Sequence, residues 1–401
     1  MSKVLLVDIN YSSIPIYNSL IKEGHNVYVA GNNNTEFLAK ICSNYININY
    51  NNTKEIEKII QLENIEKIVP GCTDISYASC AKIGAKYKEL WMGDSYENFL
   101  TINNKHQFRL LARELNLPTP KFYQNIESAK KSAQKLIIKP VDSFSGKGIN
   151  IVHSDDEKFL CEAISYAKSI SPSGTFIIHE FVKGQLYSYS AFLANHQIQS
   201  SFIVQEDCII NPYAVDSSFV VHNKNLKIRK KISNYIERLS KHLNLADGLI
   251  HTQFIKNKNN IWLIEITRRC PGDQYSNLIE YSTGFPYAEQ YKNFFLKTIG
   301  NIENKPPTKK SKVIRHTISS QDTGIFKSIK FHENYKIKEY ISLKKSGDNI
   351  SNEDGKRIGL LFIDAEKHNK KIYNSLLNRS FYEISIGNNI NAKSDTESSL
   401  H

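Results

Sequence analysis

Apolar positions in the first hundred residues fall into two alternating patterns. Residues 3–9 (Lys-Val-Leu-Leu-Val-Asp-Ile) are a nearly continuous apolar run, fit for a strand buried in a parallel sheet. Over 14–22 the apolar positions recur at helical spacing; Gly24 stops them, and a strand is expected over 26–30. The order repeats with a helix over 53–62, a strand over 67–70 and a helix near 76–87. Strand and helix in alternation predict a doubly wound α/β layer over residues 1–100. The turn after the first strand, Asn10-Tyr11-Ser12-Ser13-Ile14-Pro15, contains no glycine. The GxGxxG fingerprint of a dinucleotide site is therefore missing, which argues against an NAD-linked oxidoreductase.

A helix over 105–115 runs into the break Leu117-Pro118-Thr119-Pro120. A small α/β segment follows, with strands over 136–140, 149–153 and 175–182 and a helix over 155–169. Gly184 opens a second sheet region, which continues through a hairpin at 248–267 to a helix near 287–298. Lys305-Pro306-Pro307-Thr308-Lys309-Lys310 reads as a linker. Beyond it the chain looks strand-rich, with turns at Ser346-Gly347-Asp348 and Glu353-Asp354-Gly355. The expected domains are 1–100, 101–305 with a smaller piece at about 118–183, 306–388, and a polar tail at 389–401.

Composition changes this picture little. With 40% hydrophobic and 23% charged residues the chain reads as globular, and no apolar run approaches the roughly 18 residues of a membrane span. The opening residues 1–8 are too short in apolar length for a signal peptide. Six scattered cysteines form no CxxC pair, so reduced thiols in a cytoplasmic protein are expected. The net charge of +12 raises nucleic acid as a partner, but the lysines are spread along the chain rather than gathered in a stripe. Neither nucleic acid nor membrane is expected as a partner; a basic cleft for a polyphosphate needs only a few of these charges.

The densest chemistry lies in the hairpin Gly248-Leu249-Ile250-His251-Thr252-Gln253-Phe254-Ile255 and Ile261-Trp262-Leu263-Ile264-Glu265-Ile266-Thr267-Arg268-Arg269. If Gln253 faces Glu265, two oxygen ligands stand together as a seat for a hard divalent cation, with Arg269 beside them to meet anionic charge. A four-residue turn at 257–260 would defeat this, because Gln253 would then face Ile264. The metal reading therefore requires an odd loop, such as 258–260, or a bulge.

Upstream, Leu136-Ile137-Ile138-Lys139-Pro140 leads into a loop where Ser145, Gly146 and Gly148 let backbone N–H groups approach phosphate oxygens. It is not a Walker A loop, since Gly-Lys is followed by Gly148 and no helix begins there. Lys105 opens the helix before Pro-Thr-Pro. The strand Ile177-Ile178-His179-Glu180-Phe181-Val182 leaves into Gly184, and such a strand end can offer its backbone to an adenine edge.

Taken in order over 105–269, these pieces resemble the ATP-grasp superfamily, and the resemblance covers roughly residues 1–300. The glutamine–glutamate pair with arginine is most similar to the carbamoyl phosphate synthase branch, and the last domain more faintly to amino-acid ligases. The resemblance implies an α/β ATP-grasp fold with a preceding doubly wound domain and a small C-terminal α+β domain. It implies that Lys105 and Lys139 contact the α- and β-phosphates, and that Ser145, Gly146 and Gly148 close over the β- and γ-phosphates. Glu180, Phe181 and Val182 would hold adenine, Gln253 and Glu265 would bind Mg²⁺ (or Mn²⁺), and Arg269 would be catalytic. Three positions depart from the pattern: Thr267 where asparagine is usual, Leu186 near the place of a ribose-binding acid, and His179 in place of an acid.

The expected reaction is ATP-dependent joining of a small carboxylate to an amine through an acyl phosphate. A carboxylate is a poor electrophile, and phosphorylation supplies its leaving group. Candidate substrate contacts are Asp74, His251, Thr267 and Asp273, with Arg315 and His316 of the last domain as further candidates. A carbamoyl-phosphate or carboxylase type of enzyme and a noncatalytic ATP-binding protein remain as alternatives, and a homodimer is left open.

Overall fold

The computed structural model describes residues 1–142, 146–210, 214–222, 226–258, 260–297, 311–332, 335–352, 355–365 and 369–387. The linker at 305–310, residues 353–354 of one expected turn, and the tail at 389–401 lie outside the described residues. The chain forms two compact units, Met1–Gln205 with Val221–Lys310, and Glu206–Val220 with Ser311–His401.

The first layer alternates as expected: β1 (Lys3–Val7), α1 (Ile14–Lys22), β2 (Asn26–Gly31), α2 (Phe37–Ile41), β3 (Tyr45–Asn47), α3 (Thr53–Glu63), β4 (Lys67–Pro70) and α4 (Asp74–Lys86). Of these, α2 and β3 are one further helix and strand that the sequence reading did not name. Its sheet is parallel in the order β3-β2-β1-β4. Strand β1 stops at Val7, earlier than its apolar run suggests. The reason is the buried Asp8, whose carboxylate accepts from Asn10 N, Cys72 N and Ser13 Oγ and so turns the chain out of the sheet. Asn64 in the left-handed region (φ 51°) ends α3, and Thr73 caps α4 by accepting from Ser76 N. Two helices follow, α5 (Tyr96–Asn103) and α6 (Lys105–Glu114). Asn104 caps α6, accepting from both His106 N and Gln107 N.

Next comes a small sheet in the order β5-β8-β6-β7, built from β5 (Phe122–Tyr123), β6 (Lys135–Pro140), β7 (Asn150–His153) and β8 (Phe176–Glu180). All its pairings are antiparallel. Helices α7 (Ile126–Lys130) and α8 (Glu157–Ile170) belong to the same segment, and Leu136, Ile138, Leu160, Ile164 and Ile178 form its core. The opposite face of the sheet is left to Ile137, Lys139, Ile177 and His179, by simple alternation along the strands.

The second sheet region carries β9 (Gln185–Ala194), β10 (Gln197–Asp207), β12 (Gly248–Asn257) and β13 (Asn260–Thr267), in the order β13-β12-β9-β10. Between β10 and β12 the sequence reading expects only sheet, yet an 18-residue helix, α9 (Leu226–Leu243), occupies it. Its signal was the helical spacing of Ile228, Ile232, Ile236, Leu239 and Leu243, diluted by many lysines and arginines. Ile232, Ile236 and Leu239 are fully buried against Phe108, Ile250, Phe254 and Ile266, each burial contributing about 1.5–3 kcal/mol. Helices α10 (Tyr275–Thr283) and α11 (Tyr287–Leu296) complete this unit.

The second unit contains β11 (Ser217–Val220), β14 (Val313–Ser319), β15 (Gly324–Phe331), β16 (Ile337–Ser342), β17 (Asn349–Ile350), β18 (Arg357–Asp364), α12 (Asn369–Leu377) and β19 (Tyr382–Gly387). Strand β11 comes from mid-chain and pairs antiparallel with β14. Arg315 donates to Ser218 Oγ at 2.9 Å and to Thr317 Oγ1 at 3.3 Å, and His316 Nδ1 shares a 2.7 Å hydrogen bond with Ser217 Oγ. Burial, with Arg315 and Arg379 nearby, holds His316 down to about 3, so it is neutral at physiological pH. Both residues are buried and knit this sheet together.

In the first unit one ion pair ties the strand end after β13 to the parallel layer. Arg268 Nε donates to Asp94 Oδ2 at 2.6 Å with both side chains almost fully enclosed, and Asp94 also accepts from Tyr77 Oη and Ala246 N. Breaking a buried pair from one side leaves a stranded charge. Arg268→Met and Asp94→Leu should each cost about 3–5 kcal/mol in urea unfolding, and the double substitution should cost much less than their sum. Strict additivity would show that the two groups are not coupled.

Candidate functional site

The hairpin of β12 and β13 begins with Asn257 opposite Asn260, an even turn. Continued without interruption, that register would place Glu265 opposite Thr252, on the core face with Ile261 and Leu263. A β-bulge intervenes. Phe254 pairs with Leu263 but Gln253 pairs with Glu265, leaving Ile264 as an extra residue. From there the alternation flips: Ile266 is buried in the core at 2% exposure, while Glu265 is exposed on the other face. Gln253 stands opposite Glu265, and His251 opposite Thr267, on that same face. Thr252 Oγ1 fastens the junction by donating to the Glu265 carbonyl at 2.7 Å.

Cations gather around this carboxylate. Lys105 and Arg109 stand four residues apart on α6, hence on one helix face. Lys105 Nζ donates to the carbonyls of Pro140 (3.3 Å) and Val141 (2.9 Å), where β6 ends. Arg109 Nη1 donates to the Leu263 carbonyl at 3.1 Å and Nη2 to the Ile264 carbonyl at 2.6 Å. Burial lowers Lys105, although Glu265, Asp142 and Asp74 oppose the effect. Burial, reinforced by Arg109 and Lys105 and resisted by Glu265, pulls Lys139 down to about 8. Arg109 is brought down to about 10 by burial, with Glu265 opposing. These groups form one electrostatic cluster centred on Glu265, short of an anion.

Arg269 is placed differently from its neighbour Arg268. Its Nε and Nη2 make a two-point pair with Asp74 at 2.9 and 3.2 Å, and Thr267 Oγ1 reaches the same carboxylate at 3.3 Å. Burial works against the Arg269 charge, but Asp74 more than offsets it, so the guanidinium is held above its ordinary value. Asp74, Thr267 and Arg269 are thus brought together, with Asp74 orienting the arginine. Asp273 accepts from Tyr11 Oη at 2.6 Å and its N–H donates to Ser12 Oγ at 2.9 Å, beside the turn after β1. Asp273 and Gln274 both lie in the left-handed region, φ 54° and 57°, which non-glycine residues adopt at some cost and which recurs at functional sites.

His251 is buried, hydrogen-bonded through Nδ1 to Ser190 Oγ at 2.8 Å, and packed edge-on against Tyr275. Burial, then the Arg269 charge, pulls it down to about 3. It is a neutral hydrogen-bonding residue at physiological pH. His179 is likewise buried, and burial with the cations of Arg109, Lys139 and Lys105 keeps it well below the imidazole range.

The nucleotide-binding expectations fall on the small sheet. Glu180 N donates to the Lys121 carbonyl and Phe181 N to the Lys135 carbonyl, so these two amides are committed to the sheet. Recognition of a base edge by this strand would rest on its carbonyls and on Val182. Gly146 and Gly148 both have left-handed φ, 75° and 77°, and a Cβ on Gly148 would lie 2.5 Å from Pro140 Cγ. Gly148 is thus required by the turn itself. Ser145 lies outside the described residues. Leu186 pairs with Ile255 across β9 and β12.

Among the described residues no group of three or more His, Cys, Asp or Glu could hold a metal ion. A glutamine–carboxylate pair fits Mg²⁺ nonetheless, because that ion keeps water and phosphate oxygens in most of its positions. Arg109 went unnoticed in the sequence; its only signal was the four-residue step from Lys105 on a helix. Tyr11 and Ser12 lie in the segment 8–13 that the sequence offers as a source of specificity, but their partner Asp273, about 260 positions away, leaves no mark in the sequence.

Residues 102–273 match the family described as ATP-grasp domain, and the chain has the ATP-grasp fold, preceded by a parallel α/β layer. Among curated proteins it is similar to the carbamoyl phosphate synthase large chain of Thermoanaerobacter pseudethanolicus. The two are 27% identical over 206 residues, 49% of this chain but only 19% of that protein's length. Among solved structures it is similar to the L-amino acid ligase from Bacillus licheniformis, with TM-score 0.81 and 14% identity over 97% of this chain and 99% of that one. The biotin carboxylase domain of Hydrogenobacter thermophilus 2-oxoglutarate carboxylase, solved with magnesium ADP and bicarbonate, is also similar. Its TM-score is 0.74 at 15% identity, covering 96% of this chain and 91% of that one. At these identities the structures establish the fold alone.

The depressed Lys139 ammonium carries a pH signature. If Lys139 holds a nucleotide phosphate, as the resemblance implies, the anion binds its protonated form, so affinity should be flat below about pH 8 and weaken above it, by up to about tenfold per pH unit. Lys139→Arg, which stays charged, should abolish the break. Titrating ADP binding over roughly pH 7 to 9.5 checks this. An identical break in Lys139→Met would assign it to another group.

Proposed function

We propose that the chain is an ATP-dependent ligase that joins a small carboxylate, such as an amino acid, to an amine and releases ADP and phosphate. The observation that carries this reading is the pairing of Gln253 with Glu265 on one face, ringed by Lys105, Lys139, Arg109 and Arg269. Fixed positive charge of this kind stabilises a phosphoryl group in transfer more than the separated reactants.

In this reading the substrate carboxylate attacks the γ-phosphorus of ATP, the bond to the β-γ bridging oxygen breaks, and ADP leaves. The amine then attacks the acyl carbon, phosphate departs with the bonding pair, and the nitrogen loses a proton. Lys105 and Lys139 hold the α- and β-phosphates, and the loop through Ser145, Gly146 and Gly148 covers the β- and γ-phosphates. Glu180, Phe181 and Val182 border the adenine. Gln253 and Glu265 would hold Mg²⁺ or Mn²⁺, which supplies charge neutralisation across the phosphates. Arg269, oriented by Asp74, meets the transferred phosphoryl group, and Asp273 with Thr267 lines the acyl side. His251 supports this floor rather than moving protons.

Bicarbonate, present in the structure of the similar Hydrogenobacter thermophilus biotin carboxylase domain, is a second candidate for the activated carboxylate. ADP release should therefore be measured with Mg²⁺ against amino acids paired with amines, and against bicarbonate alone, with mass spectrometry of products. An amide product supports the ligase; release with bicarbonate alone supports the alternative; no stimulation by any pair supports a noncatalytic ATP-binding protein. With the productive pair, Arg269→Ala should lower turnover by about 10²–10³ while leaving ATP affinity nearly unchanged. Unaltered turnover would remove Arg269 from the chemistry.

A further inference from the structure

The bulged strand of the hairpin is gripped from outside, by α6. A bulge unpairs the ladder around its extra residue, and this one lies on the edge strand β13, where Leu263 N also donates off the sheet to the Pro118 carbonyl at 2.6 Å. At this one the two carbonyls flanking the extra residue, Leu263 and Ile264, point to a single guanidinium, Arg109, at 3.1 and 2.6 Å. Arg109 is 5% exposed, and its Nε has no acceptor among the described residues. A buried cation with one donor unmet is a poor stabilising device, since an apolar side chain of similar size would suit a helix face equally well. Its planar fork, however, matches two adjacent carbonyls in a way that lysine cannot.

The geometry points to Arg109 as a positioning residue: by clamping the Leu263 and Ile264 carbonyls it holds the bulge, and the bulge keeps Gln253 and Glu265 side by side. The clamp itself stands on the backbone geometry; its consequence for metal rests on the function proposed above. The packing of Ile266 in the core also favours the bulge, so loss of the clamp removes one of two supports and raises the population in which Ile264 stands opposite Gln253.

Two measurements separate these parts. First, the register is read by oxidative cross-linking of Gln253→Cys with Glu265→Cys, and of Gln253→Cys with Ile264→Cys. Peptide mass spectrometry separates these links from the six native cysteines. The 253–265 link should dominate with Arg109 present, and in Arg109→Met the 253–264 link should rise at its expense. Arg109→Lys should shift the same way but less, and it decides the matter if Arg109→Met does not fold. Lys292→Met, which removes a buried ammonium paired with the exposed Glu23 elsewhere in this unit, should leave the link where it is. Second, Mn²⁺ binding with ADP present should weaken about 10–100-fold in Arg109→Met, the usual effect of losing a group that supports a metal ligand. A 253–265 link that persists in both Arg109 variants overturns the clamp. If the unsubstituted chain fails to bind Mn²⁺ with ADP while the cross-link still shifts, the clamp stands and the function proposed above falls.

Discussion

One extra residue in one strand decides which face of the sheet carries the chemistry. Side chains of a strand alternate with a period of two, so an offset of one exchanges core for cleft along everything beyond it. In β13 the offset falls at Ile264. Before it, Ile261 and Leu263 fill the core; after it, Ile266 does, and Glu265 and Thr267 are delivered to the face that holds Gln253 and His251. A regular hairpin would bury a carboxylate in an apolar core, which costs several kcal/mol unless the group is neutralised. The hydrophobic pattern and the bulge therefore reinforce each other.

Positive charge gathers around Glu265 in the first unit. Lys105, Arg109 and Lys139 crowd one carboxylate; burial disfavours the charged form of all three, and repulsion from neighbouring cations adds to it at Lys139 and Lys105. Such an arrangement opposes folding slightly and is relieved by a polyanion. Arg269 is the exception, because Asp74 holds its charge and its orientation at once. The pair of arginines after β13 thus divides its work by strand alternation: Arg268 closes an enclosed ion pair with Asp94, and Arg269 turns to the cleft.

Much of the fold was legible. Most of the parallel layer, three of the four strands of the small sheet and the hairpin were readable because their hydrophobic periods are regular, whereas the short β3 and β5 carry too few residues to show a period. Helix α9 was not, since lysines and arginines masked an otherwise regular apolar spacing. Nor was the recruitment of β11 by the C-terminal sheet, because pairing between strands distant along the chain leaves no local mark.

For the site, the sequence by itself determined the inventory: an amide and a carboxylate on adjoining strands, two lysines near a glycine loop, and an arginine downstream. It also set the condition that an odd turn or a bulge must intervene. Only the tertiary structure decided between those two, because a bulge is chosen by packing Ile266 into the core and by the donors that meet its carbonyls. The same holds for Asp74 against Arg269 and for Tyr11 against Asp273. Those pairs join residues far apart in the chain, and folding alone brings such groups within hydrogen-bonding distance.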